Sequence, residues 1–426
     1  KTFRSNRFIA LNDGSTIKNI QCVIDFEKTP EDVLKLISTG AAIEVKGVLV
    51  ESQGKGQTVE IQVTEIIILG ASNPDEYPIQ PKKHSMEFLR ENAHLRIRTN
   101  TFSAVMRIRS VLSFAIHQYF INNGFYYFHA PIITGSDAEG AGEMFNVSTL
   151  DKKNPPLTED GEIDFKEDFF GKETNLTVSG QLEAERYAMA LGKVYTFGPT
   201  FRAEKSKTRR HLTEFWHAEM EVAWASNQEI MTHGEGVVRR VASTLLDERS
   251  TELEGLGRDL DLVARYADNP YPRMRYGEAI ETLQGMNVDV EWGQDLDYSK
   301  EKVLTQDFEV PHFLTHYPKV AKPFYHRVDP DDDNYVLCHD LLTPQGYGEI
   351  IDGGERTWSE EEILARLKEE GTPTEAYQFY IDTRSYGGVP HGGFGLGVDR
   401  VCAWLTGADH IREVIPFPRD SRRVTP

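Results

Sequence analysis

The sequence predicts an α+β chain, with a small N-terminal β-barrel ahead of a larger domain of paired strands and amphipathic helices. Three observations carry this. Residues 1–75 hold several short β-type runs separated by turn signals, with room for one helix. Val194–Glu204 and Leu212–Trp224 are rich in aromatic and β-branched residues, and read as two strands joined by the charged loop Lys205–His211. Between these regions, Ser103–Asn122 places apolar residues at Val105, Ile108, Leu112, Ile116 and Tyr119, the spacing of one helix face.

At 426 residues the chain is long enough for two or three domains with buried cores. No apolar run has the length of a membrane span and no signal-peptide pattern opens the chain, so no membrane partner is expected. Cys22, Cys338 and Cys402 are far apart and form no CxxC pair, which fits a reducing, cytoplasmic setting rather than a disulfide framework. A net charge of −20 argues against nucleic acid as a partner of the whole surface. Charge is local, however. Lys205, Lys207, Arg209 and Arg210 cluster, as do Arg419, Arg422 and Arg423, and one basic track suffices for an RNA.

The first elements are Arg7–Leu11, Ile20–Asp25, Ala42–Glu51 and Gln57–Ile68 as strands, with Glu31–Leu36 as a helix. Asn12-Asp13-Gly14 and Gly54-Lys55-Gly56 supply the turns. Asn73–Lys83, with Pro74, Pro78 and Pro81, reads as a linker. After the Ser103–Asn122 helix, Gly124 suits a C-terminal cap, and Phe125–Phe128 is a strand ended by Pro131. Ser136–Glu143 is rich in Gly and carboxylate, as a loop closing over a cation would be; a solvated acidic turn is the plain alternative. Residues 151–170 are polar and read as a surface insertion, Glu183–Leu191 as a helix opened by Thr177–Leu182, and Gln228–Arg249 as a helix without chemistry. His312 and His316 lack a third ligand and read as structural. In His339–Arg356 the carboxylates of Asp340 and Glu349 converge near Pro344 and Gly346, the kind of oxygen pair that hard cations take. Gly392–Leu405 joins a glycine-rich strand to a helix, with Arg400 where the helix N-terminus already favours phosphate.

The strand pair is the organising stretch. Side chains alternate along a strand, so Arg202 and Glu204 share one face, and Phe215, His217, Glu219 and Glu221 share one face of the return strand. Such a face gathers a guanidinium, several carboxylates and an aromatic plate. Burying that many charges unpaired is costly, so a polar ligand is expected there; the alternative is a hairpin whose charges face water.

The same residues carry a resemblance. FRAE followed by RHLTEF resembles motif 2 of the class II aminoacyl-tRNA synthetases, in the form typical of the subclass that handles aspartate, asparagine and lysine. GFYYFHAP resembles motif 1, the GLGVDR stretch resembles motif 3, and FIALNDGS with NIQCVID resembles the anticodon-binding OB domain of that subclass. The resemblance implies an OB-type barrel over 1–75 with its N-terminal part missing, since the chain begins at Lys1 inside the first strand region. It further implies a hinge over 76–100 and a class II catalytic domain, an antiparallel sheet flanked by helices, over 101–426. Activity, partners and cofactors follow as expectations: ATP, Mg²⁺, an amino acid, a tRNA, and a homodimer through motif 1.

Residue roles follow in the same way. The resemblance puts Arg202 on the ATP α-phosphate and the amino-acid carboxylate, Glu204 on the adenine amino group, His211 on the distal phosphates and Phe215 against adenine. It adds Arg210, Leu212, Gly397 and Asp399 to the ATP site, Arg400 to the γ-phosphate, and Glu349 to Mg²⁺–ATP, with Asp340 and Asp352 as further metal carboxylates. Arg202, Glu349 and Arg400 are the catalytic set. Glu139, Gln181, Glu185, Glu219 and Arg356 join Arg202 in the amino-acid site, with Arg356 on the polar end of the side chain. Phe8 and Gln21 engage the anticodon; without the resemblance, Phe8 reads as core and Gln21 as a solvated strand residue.

Selectivity turns on one departure. Aspartyl relatives carry Ser-Pro-Gln with a lysine three residues beyond the Gln, whereas here Ser179-Gly180-Gln181 is followed by Ala184 and Glu185. Removing a cation and adding an anion disfavours an aspartate side chain, so asparagine is the expected substrate and Glu185 the expected discriminator, with Glu219 or the 136–143 loop next in line. The rivals are an aspartate–tRNA ligase, an asparagine synthetase derived from this fold, which the barrel argues against, and an inactive RNA-binding paralogue, which Arg202, Glu349 and Arg400 argue against.

Overall fold

The computed structural model describes residues 2–3, 6–54, 56–136, 144–206 and 208–425. Two compact units divide the chain between Ala104 and Val105.

The first unit contains β1 (Thr2–Phe3), β2 (Asn6–Leu11), β3 (Ile20–Asp25), α1 (Glu31–Leu36), β4 (Ala42–Glu51) and β5 (Val59–Gly70). They form one five-stranded sheet in the order β1-β2-β3-β5-β4, with β3 and β5 parallel. The β2–β3 connection is built by short polar side chains: Asn12 Oδ1 accepts the Gly14 N–H at 2.7 Å, the local bond that makes Asn a turn former. Cys22, Val23 and Ile24 bury the centre of β3. Beyond the sheet, α2 (Met86–Glu91) and α3 (Ala93–Arg96) lead into the long α4 (Asn100–Asn122), and Ile79, Leu89 and Phe102 form a small apolar cluster there.

The second unit continues with β6 (Tyr126–Tyr127), β7 (Ile133–Thr134), β8 (Asn175–Leu176), α5 (Gln181–Leu191), β9 (Lys193–Phe201) and β10 (Glu214–Ala223). There follow α6 (Asn227–Gly255), α7 (Leu260–Asp268), β11 (Arg273–Arg275), α8 (Tyr276–Gly285), α9 (Tyr298–Leu304) and β12 (His312–Thr315). The last elements are β13 (Cys338–Thr343), β14 (Gly348–Glu355), α10 (Glu360–Glu369), α11 (Gln378–Ser385), β15 (His391–Gly397) and α12 (Val398–Thr406). Eight strands pair in the order β11-β12-β13-β14-β15-β10-β9-β6. The sheet is mixed rather than wholly antiparallel, because β6 runs parallel to β9 and β11 parallel to β12. The central strands are antiparallel throughout.

Alternation along these strands separates core from cleft. On β10, Ala218, Met220 and Val222 enter the apolar core beside Ile116 of α4, Val237 and Val241 of α6 and Trp404 of α12. Each such large side chain taken from water contributes about 1.5–3 kcal/mol. His217, Glu219 and Glu221 face the other way. Opposite them on β15 stand Gly397, Gly395 and Gly393, so the neighbouring strand has no side chains to fill that face. At Gly393 the need is steric, since a Cβ there would lie 2.4 Å from the Glu221 carboxyl carbon and 1.9 Å from the Met220 carbonyl oxygen.

Candidate active site

The open face of β10, β14 and β15 floors a cleft of about 350 Å³. From Phe215 to Glu221 the strand advances six residues, about 20 Å, which separates an aromatic, cationic region from a carboxylate-rich one. Residues 202–206 and 208–213 are loop rather than strand, so the alternation expected for Arg202 and Glu204 does not apply; both nonetheless line the cleft.

In the cationic region Arg202 lies over the Phe215 ring at 5.4 Å, and its Nη2 donates to the Val178 carbonyl at 3.5 Å. Arg400, in the first turn of α12, donates from Nη1 to Glu349 Oε1 at 2.8 Å. Burial opposes ionisation of Glu349, but Arg400, Arg210, Lys322 and Arg202 hold its carboxyl down at about 2. His211 is neutral at physiological pH: burial, then Arg400 and Arg210, lower it to about 4. It therefore offers hydrogen bonds, not charge, to any phosphate. Leu212, Glu204 and Gly397 complete this wall.

In the carboxylate region Glu219 accepts from Ser179 Oγ at 2.5 Å, the Gly180 N–H at 2.8 Å and Thr196 Oγ1 at 3.2 Å. Burial works against its charge, yet His217 at 3.7 Å, Ser179 and Gly180 keep it near 2, a fixed anion. Beside it, Arg356 donates from Nη2 to Glu221 Oε1 at 2.6 Å and from Nε at 3.1 Å. Burial pushes the Glu221 carboxyl upward against the pull of Arg356, with Glu185 and Glu219 adding to the rise. Gln181, at the start of α5, lines the cleft with Tyr325 and His326.

Two expected site residues, Glu185 and Asp340, lie off the cleft lining, two that line it, Arg210 and Asp399, are paired within the protein, and Glu139 falls outside the described residues. Glu185 does not reach the cleft. It is fully buried one turn behind Gln181, where it accepts from Arg384 Nη2 at 2.5 Å, His391 Nε2 at 2.8 Å, Tyr380 Oη at 2.7 Å and Gln181 Nε2 at 3.1 Å. Arg210 lines the cleft, but its guanidinium is committed to Glu301, with Nη2 3.1 Å from Oε1. Asp399 is likewise committed, to Arg109 and to the Trp216 N–H at 2.9 Å. Asp340 is buried against Lys322, whose Nζ lies 2.9 Å from it and 3.3 Å from Asp352. No group of three metal-capable side chains gathers among the described residues. Glu349 and Asp352, which line the cleft, are the carboxylates left for a divalent cation, and Mg²⁺ arriving with phosphates needs only one or two. Glu139 lies outside the described residues.

Sequence reasoning missed Ser179, Tyr325, His326, Lys322 and Glu301. Ser179 had a signal, as the residue before the cap of α5 in the Ser-Gly-Gln stretch. The others come from segments whose pairing with the sheet no local pattern reveals.

In the first unit, Phe8 pairs with Val23 and Gln21 with Ala10, so Phe8 and Gln21 share one sheet face as diagonal neighbours. Gln21 donates to Glu60 Oε2 at 3.0 Å, and the buried Glu60 also receives Ser52 Oγ at 2.9 Å and Gln62 Nε2 at 3.0 Å. Phe8 is partly buried, between the two sequence readings.

Comparison with known proteins adds the following. Residues 85–421 match the family described as tRNA synthetases class II (D, K and N), and residues 1–69 match the OB-fold nucleic acid binding domain. The asparagine–tRNA ligase of Cytophaga hutchinsonii is 49% identical over 432 residues, covering 98% of this chain and 93% of that protein. That of Acetivibrio thermocellus is 48% identical over 424 residues, covering 97% and 90%. The crystal structure of asparaginyl-tRNA synthetase from Pyrococcus horikoshii complexed with asparaginyl-adenylate superposes with a TM-score of 0.90 at 35% identity, over 100% of this chain and 94% of that one.

Proposed function

The chain belongs to the class II tRNA synthetases (D, K and N), and from that membership we propose that it joins asparagine to its tRNA through an asparaginyl-adenylate. It is a ligase of protein biosynthesis. The observation that carries the reading is one cleft holding Arg202, Phe215, Glu349 and Arg400 along the same strand floor as Glu219, Gln181 and Arg356. ATP and an amino acid are two substrates with opposite demands. The first needs cations and an aromatic plate, the second an anion for its ammonium and polar partners for its side chain.

In the first step the α-carboxylate of asparagine attacks the α-phosphorus in line, and pyrophosphate leaves. No enzyme nucleophile is required, so positioning and charge neutralisation are the whole task. Arg202 supplies a planar fork to the α-phosphate and carboxylate, which an ammonium does not replace. Phe215 stacks on adenine and Glu204 reads its amino group. Glu349 and Asp352 would hold Mg²⁺ arriving with the nucleotide, and the ion would supply neutralisation of phosphate charge there. Glu219 is the anion closest in kind to what selection requires: it accepts an amide N–H from asparagine and repels the carboxylate of aspartate. Gln181, whose Nε2 is given to Glu185, presents its carbonyl oxygen as an acceptor. Arg356 donates to the side-chain oxygen. In the second step a terminal tRNA hydroxyl attacks the activated carbonyl and AMP leaves.

Phe8 and Gln21 read the anticodon, by stacking and by a base edge. A homodimer through the motif 1 region is supported by exposed apolar residues there, Phe114 at 72%, Ile121 at 59% and Tyr126 at 59%, beside an apolar groove of about 570 Å³ lined by Tyr127, Ile133 and Phe197. No helix among the described residues is long and apolar enough to cross a membrane, and Cys22, Cys338 and Cys402 are free thiols. The free thiols accord with a reducing, cytoplasmic setting. The test is charging of tRNA transcripts bearing the asparagine and the aspartate anticodons: asparagine ligated to the first alone supports the reading, and aspartate ligated to either overturns it.

A further inference from the structure

Glu301 is 4% exposed on α9, far in sequence from both elements it touches. Its carboxylate takes the Arg210 guanidinium end-on, with Nη1 against Oε2 and Nη2 at 3.1 Å from Oε1. The same Oε2 accepts the backbone N–H of Glu349 at 3.0 Å. Arg210 also lies over the Tyr298 ring of α9 at 5.0 Å. A fourth residue fixes the geometry. Gly348 has φ +78°, and a Cβ there would meet Glu301 Oε2 at 2.4 Å and Arg210 Nη1 at 2.7 Å, so the hairpin before Glu349 is shaped around this pair.

One buried carboxylate thus joins Arg210 to the strand that carries Glu349. Glu301 itself does not line the cleft, whereas Arg210, His211 and Glu349 do. A bidentate guanidinium–carboxylate bond fixes direction as well as distance, and the bound backbone N–H of Glu349, the second residue of β14, fixes where its side chain starts. We propose that Glu301 is a positioning residue of the nucleotide site, holding Arg210, and with it the adjacent His211, in register with the Glu349 strand without touching the nucleotide. The inference rests on the reading of the cleft as an ATP site.

The test is ATP–pyrophosphate exchange and direct ATP binding for the full chain and for Glu301→Ala, Glu301→Gln and Arg210→Met. Groups that orient a ligand from behind typically matter about 10–100-fold, and Glu301→Ala is expected to raise the KM and Kd for ATP by that factor. The KM for asparagine stays within about twofold, because its partners lie elsewhere in the cleft. Glu301→Gln, which keeps an oxygen for the Glu349 N–H but loses the ion pair, falls between Glu301→Ala and the parent, and Arg210→Met moves in the same direction. Should Glu301→Ala fail to fold, the isosteric Glu301→Gln decides. Folded variants with unchanged ATP parameters, or with ATP and asparagine affected equally, overturn the proposal. Absence of asparagine-dependent exchange in the parent chain overturns the reading of the cleft instead.

Discussion

Glu185 and Arg384 form an ion pair with no solvent exposure on either side chain, Nη2 to Oε2 at 2.5 Å, behind the wall of the cleft. Removing one partner of such a pair leaves a buried charge uncompensated, at a cost of about 3–5 kcal/mol. Glu185→Gln is therefore expected to lower stability substantially. It also frees Gln181 Nε2, which weakens asparagine binding. The ratio of asparagine to aspartate activation stays near that of the parent, because Glu185 faces Arg384, His391 and Tyr380 rather than the substrate. Paired thermal melts and exchange assays check this, and a collapse of the ratio restores Glu185 as the discriminator.

Glu219→Gln is expected to behave in the opposite way. The fixed anion of the cleft disappears while Gly180 and Thr196 keep an oxygen to bind, and the Ser179 hydroxyl turns to accept from the new amide N–H. Losing a charge-assisted hydrogen bond to the substrate costs about 1.5–3 kcal/mol. Asparagine activation drops by that amount, aspartate activation does not, and the gap between them narrows. Rates of pyrophosphate exchange with each amino acid are the measurement.

These two carboxylates show what was legible in the sequence. Alternation on β10 correctly gathered Phe215, His217, Glu219 and Glu221 on one face, because a strand's period is fixed by its backbone. The charge argument that singled out Glu185 placed the anion one turn too far along the helix. Residues four apart share a helix face but stand about 5.4 Å apart along the axis, and here only the first turn of α5 meets the cleft. Ala184, where a cation was weighed, is buried with Ala188 and Val194. Glu301, Lys322 and Arg384 were invisible because their partners, Arg210, Asp340 and Glu185, lie 18 to 199 residues away in the chain. The strands and helices named from the sequence were legible, whereas β11 and α7 to α11 were not named and the parallel edges of the large sheet were not seen, since pairing direction leaves no local trace.

Acid stability offers an independent check. His339 is completely buried, and burial, then Arg356 and Lys322, lower it to about 3. Unfolded, it takes a proton near pH 6.5. Its folded pKa lies below its unfolded one, so its contribution is present above pH 6.5 and is lost progressively as pH falls toward 3. His339→Asn keeps a donor for Asn227 and removes the titration. Between pH 6.5 and 5 the stability gap between parent and variant should shrink by about 1.6 kcal/mol, as the unfolded imidazole goes from half to almost fully protonated. Denaturant unfolding across the pH range measures it, and a gap independent of pH refutes the assignment.

Phe8→Ala separates the two units functionally. If a base stacks on Phe8, charging of tRNA weakens by about 1–3 kcal/mol. Exchange without tRNA stays unchanged, because adenylate chemistry uses none of the first unit's residues. Equal losses in both assays would identify Phe8 as a core residue.

The measurement closest to the central claim is ATP–pyrophosphate exchange with asparagine and aspartate in parallel, in the parent chain and in Arg202→Ala. The account predicts exchange with asparagine, little with aspartate, and a loss of about 10²–10³-fold in the folded variant, the usual effect of removing one group aimed at developing charge. Exchange driven equally by aspartate, or undiminished in Arg202→Ala, contradicts it.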